Sequence, residues 1–201
     1  MRALSILLVS FCAVACSKKS ELGWSEYRAW LGDQENGIVK SKKNRYIRLT
    51  SRFQPIDYLA FKDVDFSSAD VKGTRDNYKG TINFQFEVNA EDVDTNLLWL
   101  GLADYAGYKQ RVNQLSFHSQ KFFKMKLGNE KLAPQFVHFE GYNELSKRLL
   151  FHVTFEYPLW DQLDPETKLR FTFEDPYWGS GVNHFTYRKK NLTDIPKLII
   201  G

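Results

Sequence analysis

Histidines, cysteines, a Gly-Ser-Gly triplet and a few clustered carboxylates are the groups in this sequence suited to chemistry, and their spacing decides what each can do. His118, His138, His152 and His184 are scattered, and no two stand three or four apart as a helical zinc pair requires. His138 and His152 come together only if Gly141 to Lys147 joins two strands. With Phe139 facing Leu149 their Cβ atoms are diagonal neighbours roughly 7–8 Å apart, and a shared ion then needs a third ligand such as Glu140. We read two surface histidines and assign no metal. Gly179-Ser180-Gly181 lacks the G-x-S-x-G spacing of a hydrolase elbow and reads as a hairpin loop. Asp161, Asp164 and Glu166, around Pro165, suit a capped turn as well as a calcium site. No glycine-rich phosphate motif occurs, and the carboxylates are spread over wet strand faces instead of pairing in an apolar setting. The sequence nominates no catalytic residue and no cofactor.

The thiols lead elsewhere. Cys12 and Cys16 are the only cysteines, and both lie in the first sixteen residues. Arg2 precedes an apolar run from Ala3 to Val14, which ends at Ser17-Lys18-Lys19-Ser20. A membrane span needs about 20 apolar residues, so this shorter run reads as an export signal. Ala13-Val14-Ala15-Cys16 resembles the lipobox of bacterial lipoproteins. The resemblance implies cleavage before Cys16, which becomes the N-terminus and is acylated on its thiol and amine. Ala13-x-Ala15 also satisfies the rule for an ordinary signal peptide cut after Ala15. Lipidation gives a purpose to a thiol that has no disulfide partner in the mature chain, and two or more acyl chains make attachment stable.

The body carries the elements that position everything else. We divide the chain into a signal peptide over 1–15, the lipidated cysteine and tether over 16–23, and one β-rich domain over 24–201. Trp24, Tyr27, Trp30 and Leu31 recur at helical spacing, predicting a helix near 25–35 with Ser25 as N-cap and Asn36-Gly37 as stop. The period changes to two at Ile47 and Leu49, and Pro55 then interrupts it before a second short apolar run from Ile56 to Phe61. Thr81 to Asn89 alternates as a strand with one wet face. Leu98, Leu102, Tyr105, Tyr108, Val112 and Leu115 predict a second helix near 95–114, capped by Asp92 or Asp94. From Phe117 onward the chain reads as antiparallel strands. Phe117 to Leu127 turns at Gly128-Asn129-Glu130 into Leu132 to Glu140, and Arg148–Tyr157, Lys168–Glu174 and His184–Arg188 follow. The fold class is mainly β: an antiparallel sandwich or open barrel with one or two covering helices, its core filled by many of the 16 phenylalanines.

Two features bear on function. Charge is near balance, 28 Lys plus Arg against 24 Asp plus Glu, and becomes +3 once Arg2 leaves, so no nucleic-acid partner is expected. The basic stretches Lys40 to Arg48 and Arg188 to Lys190 read as solvated faces, and Lys18-Lys19 lie where they could meet anionic head groups. Asp175-Pro176-Tyr177-Trp178-Gly179-Ser180-Gly181 puts large aromatics in a turn, either as lids over a core end or as exposed contacts, with Trp160 placed at the same end. Trp160, Tyr177 and Trp178 are the candidate binding residues. With its Glu35-Asn36-Gly37 helix end, its Phe53 to Phe61 segment and its Ile195-Pro196-Lys197-Leu198 tail, the chain resembles uncharacterised lipoproteins of Gram-negative bacteria, a likeness that brings no activity with it. For such proteins Ser17 implies sorting to the outer membrane, while Lys18-Lys19 differs from acidic surface-export tags. The resulting expectation is a non-enzymatic envelope lipoprotein at the periplasmic face of the outer membrane, held by its lipid and engaging a protein partner. The alternative is a carbohydrate or small-ligand binder using the loop aromatics.

Overall fold

The computed structural model describes residues 20–65, 70–92, 94–143 and 145–199, so the expected signal peptide and lipidated Cys16 lie outside the described residues. Alternation builds the centre. In β4 (Thr81–Ala90) the side chains of Ile82, Phe84, Phe86 and Val88 are buried, and β8 (Arg148–Glu156) does the same with Leu149, Phe151, Val153 and Phe155. The two strands pair antiparallel at the middle of a five-stranded sheet completed by β2 (Val39–Lys43), β3 (Ile47–Gln54) and β7 (Phe136–Asn143), in the order β2-β3-β4-β8-β7. A second antiparallel sheet orders β10 (Val182–Arg188), β9 (Lys168–Glu174), β5 (Phe123–Leu127) and β6 (Glu130–Leu132).

The sheets meet face to face through phenylalanine. Ring centroids of Phe84 and Phe171 are 4.8 Å apart, Phe86 and Phe173 4.6 Å, and Phe123 and Phe151 5.5 Å. Such pairs contribute about 0.5–1.5 kcal/mol each beyond the area they bury. One polar tie crosses this core: the buried Tyr187 hydroxyl lies 2.9 Å from the Ser51 carbonyl and 2.8 Å from its Oγ, joining β10 to β3. The protein is a mainly β sandwich with short helices around it.

Among the described residues those helices number five, where periodicity predicts two: α1 (Trp24–Gly32), α2 (Ile56–Asp63), α3 (Val71–Asp76), α4 (Tyr105–Phe117) and α5 (Lys189–Thr193). Ser25 does not cap α1; Gly23 holds that position, and Gly37, at φ +78°, turns the chain after a 3-10 turn. Pro55 starts α2 instead of interrupting a strand, because its missing N–H costs nothing at a helix entry. The predicted helix over 95–114 breaks: residues 97–101 form a turn, and α4 begins only after Asp104, the actual cap. Phe117 and Ser119 to Phe122 lie in helix and 3-10 turn, leaving only Phe123–Leu127 extended. The expected strand Leu132 to Glu140 is two strands in different sheets, parted at Pro134, which cannot donate to either ladder.

The two ends of the described chain meet. β1 (Glu21–Leu22) pairs in parallel with β11 (Lys197–Leu198), so the end of the segment expected as a tether over 16–23 is a strand stapled to the last one. No helix among the described residues is long and apolar enough to cross a membrane.

Candidate functional site

A group of three stacked aromatic rings, two of them exposed, gathers where the predicted helix breaks. Asn96 Oδ1 accepts from the Leu98 amide at 2.9 Å and its carbonyl accepts from Trp99 and Leu100, each at 3.0 Å, which coils the chain tightly. Gly101 then takes φ +76°, a left-handed conformation favoured for glycine. Asp104 Oδ1 accepts the Gly107 amide at 2.8 Å and starts α4, so Tyr105 and Tyr108 stand three apart on its first turns. Trp99 reaches back over them. Its ring lies 4.6 Å from Tyr108 and 6.3 Å from Tyr105, and the three planes are within 27° of parallel. Trp99 is 41% exposed and Tyr105 61%. Beside them a groove of about 440 Å³ runs between α4 and β7, lined by Val112, Phe139 and Tyr142 among others.

This platform is braced from behind. Arg111, 5% exposed, donates from Nη1 to the carbonyls of Leu97, Leu98 and Leu100 at 3.0, 3.1 and 2.9 Å. Its guanidinium lies 4.7 Å from the centroid of the Tyr177 ring, and burial lowers its pKa from the ordinary arginine value. The Trp178 indole N–H donates to the Leu97 carbonyl at 3.0 Å, and Tyr177 donates its hydroxyl to Gln114 Oε1 at 2.9 Å.

The candidate residues of the 175–181 loop are therefore supports. Trp178, at 4% exposure, is not displayed on the surface; it is a lid, drawn inward by its N–H and packed on Phe173. Asp175 shapes that loop, accepting from the amides of Tyr177, Trp178 and Ser180 and from the Ser180 hydroxyl. Trp160 is not at the same end. It precedes β9 and sits 5.7 Å from the ammonium of Lys189, whereas Tyr177 and Trp178 follow the strand's far end. A seven-residue strand, roughly 20 Å, separates them. Asp164 forms the capped turn, with Oδ1 accepting from the Glu166 amide at 2.7 Å.

The histidines meet differently from expectation. The ladder runs on to Asn143 opposite Arg148, leaving a shorter loop than 141–147, and an extra residue, Glu140, bulges β7; together these pair Phe139 with Phe151 and set His138 directly opposite His152. Their rings are 6.3 Å apart, and His152 Nε2 is 2.6 Å from Glu140 Oε1. They edge a cleft of about 410 Å³ whose other wall carries Tyr78, hydrogen-bonded to Asp63 and raised in pKa chiefly by burial. Among the described residues no group of three or more His, Cys, Asp or Glu side chains is placed to hold a metal.

No protein-family model matches the chain, and no curated protein matches it. Two solved structures are similar to it. A protein of unknown function from Burkholderia pseudomallei K96243 is 10% identical, with 86% of this chain and 89% of that chain covered and a TM-score of 0.43. A DUF4426 family protein from Pseudomonas aeruginosa PAO1 is 7% identical, with 76% and 94% covered and a TM-score of 0.34.

Proposed function

We propose that this chain is a non-enzymatic lipoprotein of the cell envelope, fastened by an acylated Cys16 at the periplasmic face of the outer membrane, which grips a protein partner through Trp99, Tyr105 and Tyr108. The braced aromatic platform carries this reading. Rigid rings offer large contact area with few rotamers to lose on binding, and aromatic anchors of this kind dominate protein interfaces. The Arg111 and Trp178 bonds to the backbone of 97–100 hold the turn in one conformation before any partner arrives. The anchor is supported by the lipobox at Ala13 to Cys16.

Affinity capture from detergent-solubilised envelopes tests the platform. A partner retained by the native chain and by Tyr46→Ala, an exposed tyrosine elsewhere, is expected to be lost by Trp99→Ala with Tyr105→Ala; equal retention by the double variant sinks the reading. Palmitate label is expected to vanish in Cys16→Ser, and its persistence would refute the anchor. The near-parallel planes of the three rings favour one alternative, a carbohydrate stacked on them. Titrating tryptophan fluorescence with oligosaccharides separates the two, since only sugar binding gives a change that Trp99→Ala abolishes.

A further inference from the structure

The outer face of the four-stranded sheet carries cations in rows. Lys131, Lys126 and Arg170 stand side by side across β6, β5 and β9; Lys168 pairs with Arg188 on one side of that row, and Lys124 lines up with Thr172 and His184 on the other. All six Lys and Arg side chains are exposed, and strand spacing sets neighbouring charges about 5–7 Å apart. Carboxylates reach only two of them: Glu174 lies 2.5 Å from Lys124, and Glu166 is 4.0 Å from Arg188. Among the described residues Lys126, Lys131, Lys168 and Arg170 have no carboxylate within ion-pair reach. The five-stranded sheet differs, for there Lys43 and Arg48 share Glu91 and Arg148 meets Glu87. The four open cations of the second sheet stand on adjacent strands, β6, β5 and β9.

We infer that this open cationic face docks on an anionic phospholipid bilayer. Neighbouring strands that present four cations without a carboxylate partner complement a plane of head-group phosphates. Apolar residues sit among the cations: Val182 is 60% exposed, and with Leu132 and Ala133 it lines a shallow groove of about 470 Å³ between Lys124, Lys126 and Arg170. Such residues gain from the acyl boundary of a membrane, whereas a soluble polyanion offers them nothing. The chain entry agrees. β1 pairs with β11, which follows β10 after only α5 and a short turn, so the tether joins the body near the Lys168–Arg188 end of this face. Cys16 is five residues before Glu21, a reach of at most about 18 Å. The placement beside the anchor rests on the lipoprotein reading; the docking itself does not.

Vesicle binding by an unacylated chain starting at Ser17, which keeps the whole described core, isolates the sheet face from the lipid. Co-sedimentation is expected with phosphatidylglycerol-containing vesicles at 50 mM salt, with little on pure phosphatidylcholine, and it should fall steeply by 300 mM. Lys126→Glu with Lys131→Glu and Arg170→Glu should cut partitioning by about 100-fold or more, given the usual contribution per basic residue near a charged surface. The Gln versions should lose less, and Lys62→Glu with Lys72→Glu, exposed on α2 and α3, should lose little. Circular dichroism checks that each variant is folded. No binding to the anionic vesicles, an undiminished partition for both the Glu and Gln sets, or binding to inorganic polyphosphate but not vesicles would overturn the inference. If it holds while Cys16→Ser still takes up palmitate, only the anchor assignment is lost.

Discussion

Tyr187 holds the most consequential single hydroxyl in the core. It is buried among phenylalanines, with Phe84 5.3 Å away, and its polar partners among the described residues are the carbonyl and hydroxyl of Ser51. Burial raises its pKa well above the usual phenol value of about 10. A group that stays protonated in the folded state but ionises in the unfolded chain stabilises the protein fully below that value, and the stability is lost as pH rises beyond it. Tyr187→Phe should therefore cost about 1–3 kcal/mol at neutral pH, because Ser51 is left without its partner. Above pH 10 the variant should lose stability less steeply than the native chain, by up to about 1.4 kcal/mol per pH unit. Urea titrations at pH 7 and pH 11 check both, and parallel slopes in the alkaline range would show that Tyr187 ionises freely. Residues of this kind were only half legible. The alternation of His184 to Arg188 shows that Tyr187 points inward, but the partner of its hydroxyl lies 136 residues away. Trp178 was harder still, since a tryptophan in a Pro/Gly loop reads equally as lid or contact, and only the Leu97 carbonyl, 81 residues upstream, decides for the lid.

Elements were legible where one face alternates without interruption. β9 begins and ends at the residues its pattern predicts, and β4 and β8 differ from theirs by one residue at an end, because a large apolar residue recurs at every second position. The region 95–117 was not, and the cause is specific. Leu98 and Leu102 keep the helical period of Tyr105, Tyr108, Val112 and Leu115, so the apolar spacing runs straight through a turn. What ends the helix there is polar chemistry: Asn96 captures the amides behind it, Asp104 those ahead. The break exposes Tyr105, which the helical reading packs away, and sets the exposed Trp99 beside it. β7 was misregistered because alternation reveals neither that the strand runs on through Gly141 to Asn143 nor which residue will bulge. The cap at Asp104 gives an element-scale prediction. Asp104→Ala removes the acceptor for the Gly107 amide and should cost about 1 kcal/mol. Because Tyr105 and Tyr108 ride on that first turn, amide exchange over 105–108 should accelerate well beyond that in β4. Asp104→Asn, which keeps the acceptor, should restore protection; if exchange in the turn is unchanged by Asp104→Ala, the cap does not set the platform.

At the scale of the whole molecule, stability depends on the two sheets sharing one phenylalanine layer, since no disulfide is available to a body whose cysteines both precede it. Phe171 is the centre of that layer. Its ring lies within 6.3 Å of Phe84, Phe86, Phe123, Phe155 and Phe185, drawn from strands β4, β5, β8 and β10. Truncating such a side chain costs about 3–5 kcal/mol, a large part of the roughly 5–15 kcal/mol that a folded domain holds in reserve. For a chain of this length each kcal/mol moves Tm by about 2–4 °C, so Phe171→Ala should lower it by about 10 °C or more. Phe117→Ala, at 75% exposure on the end of α4, should stay within about 0.5 kcal/mol of the native chain. The form of the transition matters as much as its midpoint. If the layer couples the sheets, tryptophan fluorescence and far-ultraviolet circular dichroism must lose their native signals at the same denaturant concentration in both native and Phe171→Ala proteins. Two separated transitions in the native chain would mean that each sheet keeps its own fold, and the platform on α4 and the cationic face of the second sheet would then belong to bodies that move apart.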